Sequence, residues 1–293
     1  MCLIQFLYPI FAPDKPIETN NNFLENKQNM KAIIPFLLAL ACCFFHAATL
    51  HAADPVKGNG TLTTKEIAIE DFNEIRLNGP MMFYYEQSDA PSSIEITLDQ
   101  NLHSALRLDV KNRILTISFK GTKVESVTQF IVRTRSPWLK AVRLSGNAGF
   151  YLDSPLKGDE VKIHAGSNCL AYLQKPLKVG KLDLNIYQGA NILATDLEAE
   201  TLHCDMDCSG SLTLEKGTVA TASYFICGSG DLHAYGCQTK QLVCSMVGSG
   251  LAEITATDRL KISLIGSGTI RYKGTPAVGK LVSLGKGLVE HIQ

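Results

Sequence analysis

The sequence predicts an all-β chain wound as a parallel β-helix, a solenoid with coils of about 20 residues. Three observations carry this. Four similar lines run Leu202 to Gly210, Ala222 to Gly230, Leu242 to Gly250 and Leu260 to Gly268, each a short alternating strand that ends in a Ser-Gly corner. Their closing glycines stand at 210, 230, 250 and 268, a near-constant step. No segment sustains an apolar period near 3.6, so little helix is expected.

The chain has 293 residues with 28 basic and 28 acidic side chains, which gives no field strong enough to imply nucleic acid or an anionic membrane. Residues 1–29 are an irregular extension, a candidate misassigned start, with Pro9, Pro13 and Pro16 and an Asn run at 20–22. From Met30 the pattern changes to Lys31, an apolar run from Ala32 to Phe45 and small residues up to Ala53. That layout at 30–52 predicts a secretory signal peptide cut after Ala52 or Ala53. The run is short for a membrane span and is interrupted by Pro35. Cys42 offers an alternative lipid anchor, but Ala39 stands where a lipoprotein signal has Leu, and an apolar stretch follows. An exported chain without a transmembrane helix is therefore expected, in the periplasm, at the outer surface or secreted. A linker at 53–60 would precede a single β domain at 61–293.

Within that domain the segment 61–135 holds candidate strands at 61–69, 74–77, 81–86, 94–98, 106–111 and 114–119. Asn78-Gly79-Pro80 reads as a turn, Lys111-Asn112-Arg113 as a hairpin connection, and 100–106 as one short helical turn.

Coils are expected over 140–287. Aligned on their corners, they give three inward columns by alternation. The first is Val161, Leu182, Leu202, Ala222, Leu242, Leu260; the second Val142, Ile163, Leu184, Cys204, Tyr224, Cys244, Ile262; the third Leu144, Ala165, Ile186, Met206, Ile226, Met246, Leu264. A frayed last winding falls at 279–285. A one-residue slip would expose almost all of these side chains, so the register is tightly fixed. The corner glycines Gly210, Gly230, Gly250 and Gly268 are read as structural, because glycine reaches positive φ at little cost. A phosphate loop would need a following helix, and none is visible.

The strand Phe72 to Gly79, the hairpin 106–117 and the Gly-Ser-Gly corners at 228–230, 248–250 and 266–268 resemble the putative auto-transporter adhesin, head GIN domain family. The likeness covers roughly 70–275. It implies a right-handed parallel β-helix with some antiparallel strands at the start, an exported or surface location and no established enzymatic activity. Ser145-Gly146-Asn147, Ala165-Gly166-Ser167 and Gln188-Gly189-Ala190 lack the full corner motif, so the first three coils are expected to be wider or less regular.

Six cysteines lie beyond the leader. Cys204 and Cys244 fall two coils apart, roughly 10 Å, too far for a disulfide. Cys204, Cys208 and Cys244 read as small buried hydrophobes. Cys227 should point outward, Cys169 and Cys237 should lie in turns, and Cys208–Cys227 is the one pairing worth checking. A zinc site at Cys204, Cys208 and His203 is disfavoured because alternation sends His203 to the opposite face. No cofactor, metal or catalytic residue is assigned.

The outward face of the early coils groups Lys162, His164, Asp183, Asn185, Tyr187, His203, Asp205 and Asp207. This patch is the candidate ligand surface, with Asp205 and Asp207 placed to flank a sugar or a cation and His164 or His203 as base. A solvated sheet carrying mixed charge is the plainer reading. Farther along, the same face turns apolar at Phe225, Val243, Val247 and Ile265. Such a patch calls for cover, by the strands of 62–119 in preference or by a second subunit. Trp138 is expected to cap the core beside the first coil. The preferred function is a non-enzymatic exported surface module that binds a glycan or protein. A polysaccharide-active enzyme on the 142–207 face and a structural spacer are the rivals.

Overall fold

The computed structural model describes residues 55–121 and 123–293. The leader assigned to 1–52, with its cleavage site, Cys42 and the first two linker residues, lies outside the described residues. Parallel coils stack into a β-solenoid of about 8 turns. The three inward columns pair residue for residue: Leu182 lies opposite Leu202, Cys204 opposite Tyr224, and Met246 opposite Leu264. No residue in them is more than 5% exposed. Each coil hides its apolar side only when the next covers it, so truncating one column member to Ala should cost about 2–5 kcal/mol.

Each full coil has three faces. Strands such as Ala141–Ser145 form the first and Gly149–Leu152, Leu170–Leu173 and Asn191–Ala194 the second. The opening halves of Leu156–Ala165, Leu177–Tyr187 and Leu197–Cys208 form the third, and their closing halves rejoin the first. Between the halves the pairing skips one residue per coil: Gly158 pairs with Val179 and Glu160 with Lys181, while Asp159 and Gly180 fall at the bend.

The stack begins earlier than the corner repeat implies. Glu74–Asn78 pairs in parallel with Ala141–Ser145, and Met82–Gln87 pairs with Gly149–Leu152. On the other side Glu74–Asn78 pairs with Ile114–Phe119, and Met82–Gln87 with Phe130–Ser136. The coil at 74–87 is thus sandwiched between windings at 114–136 and 141–152, although those two are consecutive in sequence. Ser93–Asp99 closes this end by pairing antiparallel with Leu62–Ala68 and with Phe130–Ser136.

The strands of 62–119 thus supply first windings and an end cap, and they do not fold over the later coils. Phe225, Val243, Val247 and Ile265 remain 38–44% exposed, so the expected internal cover is absent. Trp138 is likewise not a cap: it is 52% exposed, and its neighbour Leu139 fills the core. Cys237 is not in a turn but buried within Asp231–Gly248. Cys208 is exposed, contrary to its reading as buried, because it occupies the corner itself.

The corner glycines work differently from the expectation. The left-handed residue is the first glycine of each motif, with φ of +117° at Gly228, +146° at Gly248 and +124° at Gly266. Gly210, Gly230, Gly250 and Gly268 do not carry it; they are small because the coil beneath leaves no room for a Cβ. At Gly250 it would run into the Gly230 carbonyl, and at Gly268 into the Met246 sulfur. The last winding slips by one residue after Leu260, which sets Ser283 opposite Leu264.

Candidate functional site

The eight residues of the predicted patch do share one outward surface. Lys162, Asp183 and His203 stand in one column, His164, Asn185 and Asp205 in the next, and Tyr187 and Asp207 in a third. Neighbouring columns sit on flat strands paired on both sides, so the side chains project from a fixed lattice about 4.8 Å apart along the axis.

Most of their polar groups engage one another. Lys162 Nζ lies 3.2 Å from Glu160 and 3.8 Å from Asp183, and Lys181 Nζ lies 2.8 Å from Asp183 and 3.2 Å from Glu160. Hydrogen bonds from these two lysines hold the Glu160 carboxyl below its ordinary range, and those to Asp183 and Glu160 raise Lys181. His203 Nε2 sits 3.2 Å from Asp205, and the Tyr187 hydroxyl donates to Asn185 Oδ1 at 3.0 Å. Burial, then the nearby Arg143 and Lys162 charges, push the His164 imidazole down toward its neutral form. Burial and the carboxylates of Asp205 and Asp207 push the Tyr187 phenol up.

The surface extends beyond the predicted patch. Glu74 receives Arg76 Nε at 2.7 Å and Arg143 Nε at 3.1 Å, and Arg143 aligns with Arg76 on one side and His164 on the other. Burial works to raise the Glu74 carboxyl, but these two guanidinium groups outweigh it and hold it low. Sequence reasoning missed Glu74 and Arg76, although the signal was present. Glu-Ile-Arg-Leu-Asn-Gly at 74–79 and Ala-Val-Arg-Leu-Ser-Gly at 141–146 are versions of one line.

Side chains of His203 and Asp205 are 44% and 41% exposed, which leaves them in water rather than in a closed site. Burial pushes the inward thiols up, to about 12 at Cys244 and about 11 at Cys237, and raises Cys204 as well, which disfavours the thiolate form. Among the described residues no group of three or more His, Cys, Asp or Glu is arranged to hold a metal ion, and no helix is long and apolar enough to cross a membrane.

A second surface feature lies at the bend between the third and first faces. A groove of about 670 Å³ runs across the coils there, lined by Lys157, Lys178, Glu198, Thr218 and Gln238 on one side. It was not anticipated, because alternation marks these residues only as outward-facing. Its other side is lined by the residues that the pairing skips at each bend, among them Asp159, Gly180, Glu200 and Ala220.

Comparison with known proteins agrees with this architecture. A crystal structure of a putative adhesin from Parabacteroides distasonis is 50% identical, with a TM-score of 0.79, over 82% of this chain and 100% of that one. A putative adhesin from Parabacteroides merdae is 48% identical with the same TM-score and coverage. A protein from Parabacteroides distasonis described as a putative lipid binding protein is 31% identical, with a TM-score of 0.77 and the same coverage. No curated protein matches. Over residues 71–276 the sequence matches a defined family, and the chain belongs to it: putative auto-transporter adhesin, head GIN domain.

Proposed function

We propose that the chain is an exported, non-enzymatic binding module of the adhesin kind, cleaved from its leader near Ala52, which meets a surface glycan or protein on the face bearing Lys162, His164, Asp183, Asn185, Tyr187, His203, Asp205 and Asp207. The observation that carries this reading is the fixed, partly exposed lattice of mixed donors and acceptors on strands locked by pairing on both sides. Binding by such a surface costs little ordering entropy, because the backbone is already in place. Membership of an adhesin family supports the binding role and the export, and the open setting of His203 and Asp205 favours recognition over catalysis.

The exposed Phe225, Val243, Val247 and Ile265 form the surface that a second subunit would cover. Leu284 extends it, since Cys227, Val247, Ile265 and Leu284 stand in one column.

A glycan array probed with residues 53–293, followed by the Asp205→Ala, Asp207→Ala double variant against each hit, tests the reading. Loss of binding with the fold retained is expected. Unchanged binding removes the patch, and reducing ends released from a bound glycan would remove the non-enzymatic half. Light scattering of the same fragment addresses the second subunit, and a monomer at all concentrations discards it.

A further inference from the structure

The groove at the bend has the length, charge balance and access of a site for an extended polymer. Its two rims follow the coils. One is Lys157, Lys178, Glu198, Thr218 and Gln238, successive partners in register; the other is Asp159, Gly180, Glu200, Ala220 and Lys240, the residues the pairing skips. Five coils at the spacing of neighbouring strands give a trough about 19 Å long. The trough is built into the bend rather than left by a loose loop. Gly180 is held small there, since a Cβ would press on the Asp159 carbonyl at 2.7 Å. Val179, Ala199 and Val219 form a narrow apolar floor and are buried.

The lining decides between occupants. Three cationic side chains, Lys157, Lys178 and Lys240, are interspersed with three anionic ones, Asp159, Glu198 and Glu200. Lys178 Nζ and Glu198 already pair at 2.6 Å. A balanced wall gives no field for a polyanion. An extended peptide would add itself to an unpaired strand edge, but each strand under the groove is paired to the coil before and the coil after it. An acyl chain would need walls free of charge, and these carry Lys157, Asp159, Lys178, Glu198, Glu200 and Lys240. What remains is a ligand that uses donors and acceptors together and carries no net charge.

We infer that this groove binds a linear neutral glycan along the solenoid axis, a site separate from the patch on the adjoining face. The inference rests on the binding-module reading but not on the patch. Hydroxyl groups of the sugar would exchange bonds with the lysine, glutamate, threonine and glutamine tips, while the small floor lets the chain lie close to the backbone.

The test is native gel electrophoresis of the chain through gels containing a neutral β-glucan, a mannan, a xylan or polygalacturonate, with flotation on phosphatidylglycerol vesicles alongside. The variants are Ala220→Tyr, which places a ring in the trough at an exposed position, Lys178→Ala with Gln238→Ala, and Asp205→Ala with Asp207→Ala. Circular dichroism monitors the fold of each. The expected result is retardation by at least one neutral polymer, weakened tenfold or more by each groove variant that folds and less than twofold by the patch variant. Retardation by polygalacturonate alone, capture by vesicles alone, no retardation by any neutral polymer, or retention undiminished in the groove variants would each overturn it. Neutral-polymer binding lost only in the patch variant would leave the binding module standing and the groove without a role.

Discussion

The coils before and after Cys208 make the same corner with different backbones. In the earlier ones two consecutive residues are left-handed: Gly146 and Asn147 at φ +67° and +65°, Ser167 and Asn168 at +54° and +58°, Gln188 and Gly189 at +52° and +78°. In the later ones a single glycine does it, at 228, 248, 266 and 285. The outer faces differ as well. The column that reads Arg143, His164, Asn185 and Asp205 continues as Phe225, Ser245 and Ser263. On the second face the order reverses. There the early column stacks the Arg133 guanidinium, Tyr84 and Tyr151, with ring centroids 4.9 Å apart, whereas the late one alternates His233, Glu253, Arg271 and Glu290. One solenoid core therefore supports two unrelated exteriors, because the inward columns alone fix the winding.

The sharpest way to break the comparison is to place the same methyl group on both kinds of corner. Gly248→Ala puts a Cβ into the Gly228 carbonyl at a φ that side chains rarely adopt, and should cost about 3 kcal/mol in urea unfolding. Gly166→Ala in an early coil meets nothing within 4 Å and has no positive φ, so it should change stability by less than about 0.5 kcal/mol. Equal costs at the two sites would mean that the late corners are no more constrained than the early ones.

Next in size is the end cap. Asp99 is buried, and its carboxylate accepts from Thr128 N, Thr128 Oγ1 and Gly60 N, each at 2.8 Å. Burial opposes its charge, but these donors outweigh it and hold the carboxyl below its ordinary range. A carboxyl depressed in the folded state contributes stability that is complete above its unfolded pKa and is lost as pH falls through the folded one. The thermal midpoint of the wild type should therefore fall on acidification below about pH 4. Asp99→Asn should start lower at pH 7 and flatten that part of the profile. An unchanged acid limb would show that the clamp does not titrate.

Much of this architecture is legible in the residues. The columns were fixed by alternation between Val161 and Leu264, where their members are aliphatic, thioether or thiol side chains with Tyr224 among them, and every slip is costly. The first windings were not, because the coil at 74–87 is separated from its neighbour at 141–152 by a long excursion, and no repeat period spans it. The corner glycines were seen but their division of labour was not: spacing shows that two small residues are needed, and only the backbone shows which is left-handed and which is merely crowded. The patch could be assembled from strand alternation alone. The groove could not, since one of its rims is made of the residues skipped at each bend, Asp159 beside Gly180 and Glu200 beside Ala220, and these leave no mark in the hydrophobic pattern.

Cys208 links the two regimes, and it can be used to sharpen the contrast. It holds φ at +75° where Gly228 stands directly next in register, and it is exposed. A residue with a Cβ is destabilised by about 1 kcal/mol in that conformation, so Cys208→Gly should raise stability by roughly that amount. A fall in stability would mean that the thiol side chain contributes more than its backbone strain costs.

A further small effect concerns the early charged face. Asp183 pairs with Lys162 and Lys181, whose side chains are 42% and 46% exposed, so solvent screens both ion pairs. Asp183→Asn should cost less than about 1 kcal/mol, and the difference should fade in 1 M salt. A larger, salt-insensitive loss would mean that the lattice of Glu160, Lys162, Lys181 and Asp183 holds the bend itself. The early coils would then depend on their exterior in a way that the late coils, with Val247 and Ile265 in water, do not. Because Glu160 and Lys181 stand just past the groove, such a result would also tie the shape of the trough to charges on the adjoining face.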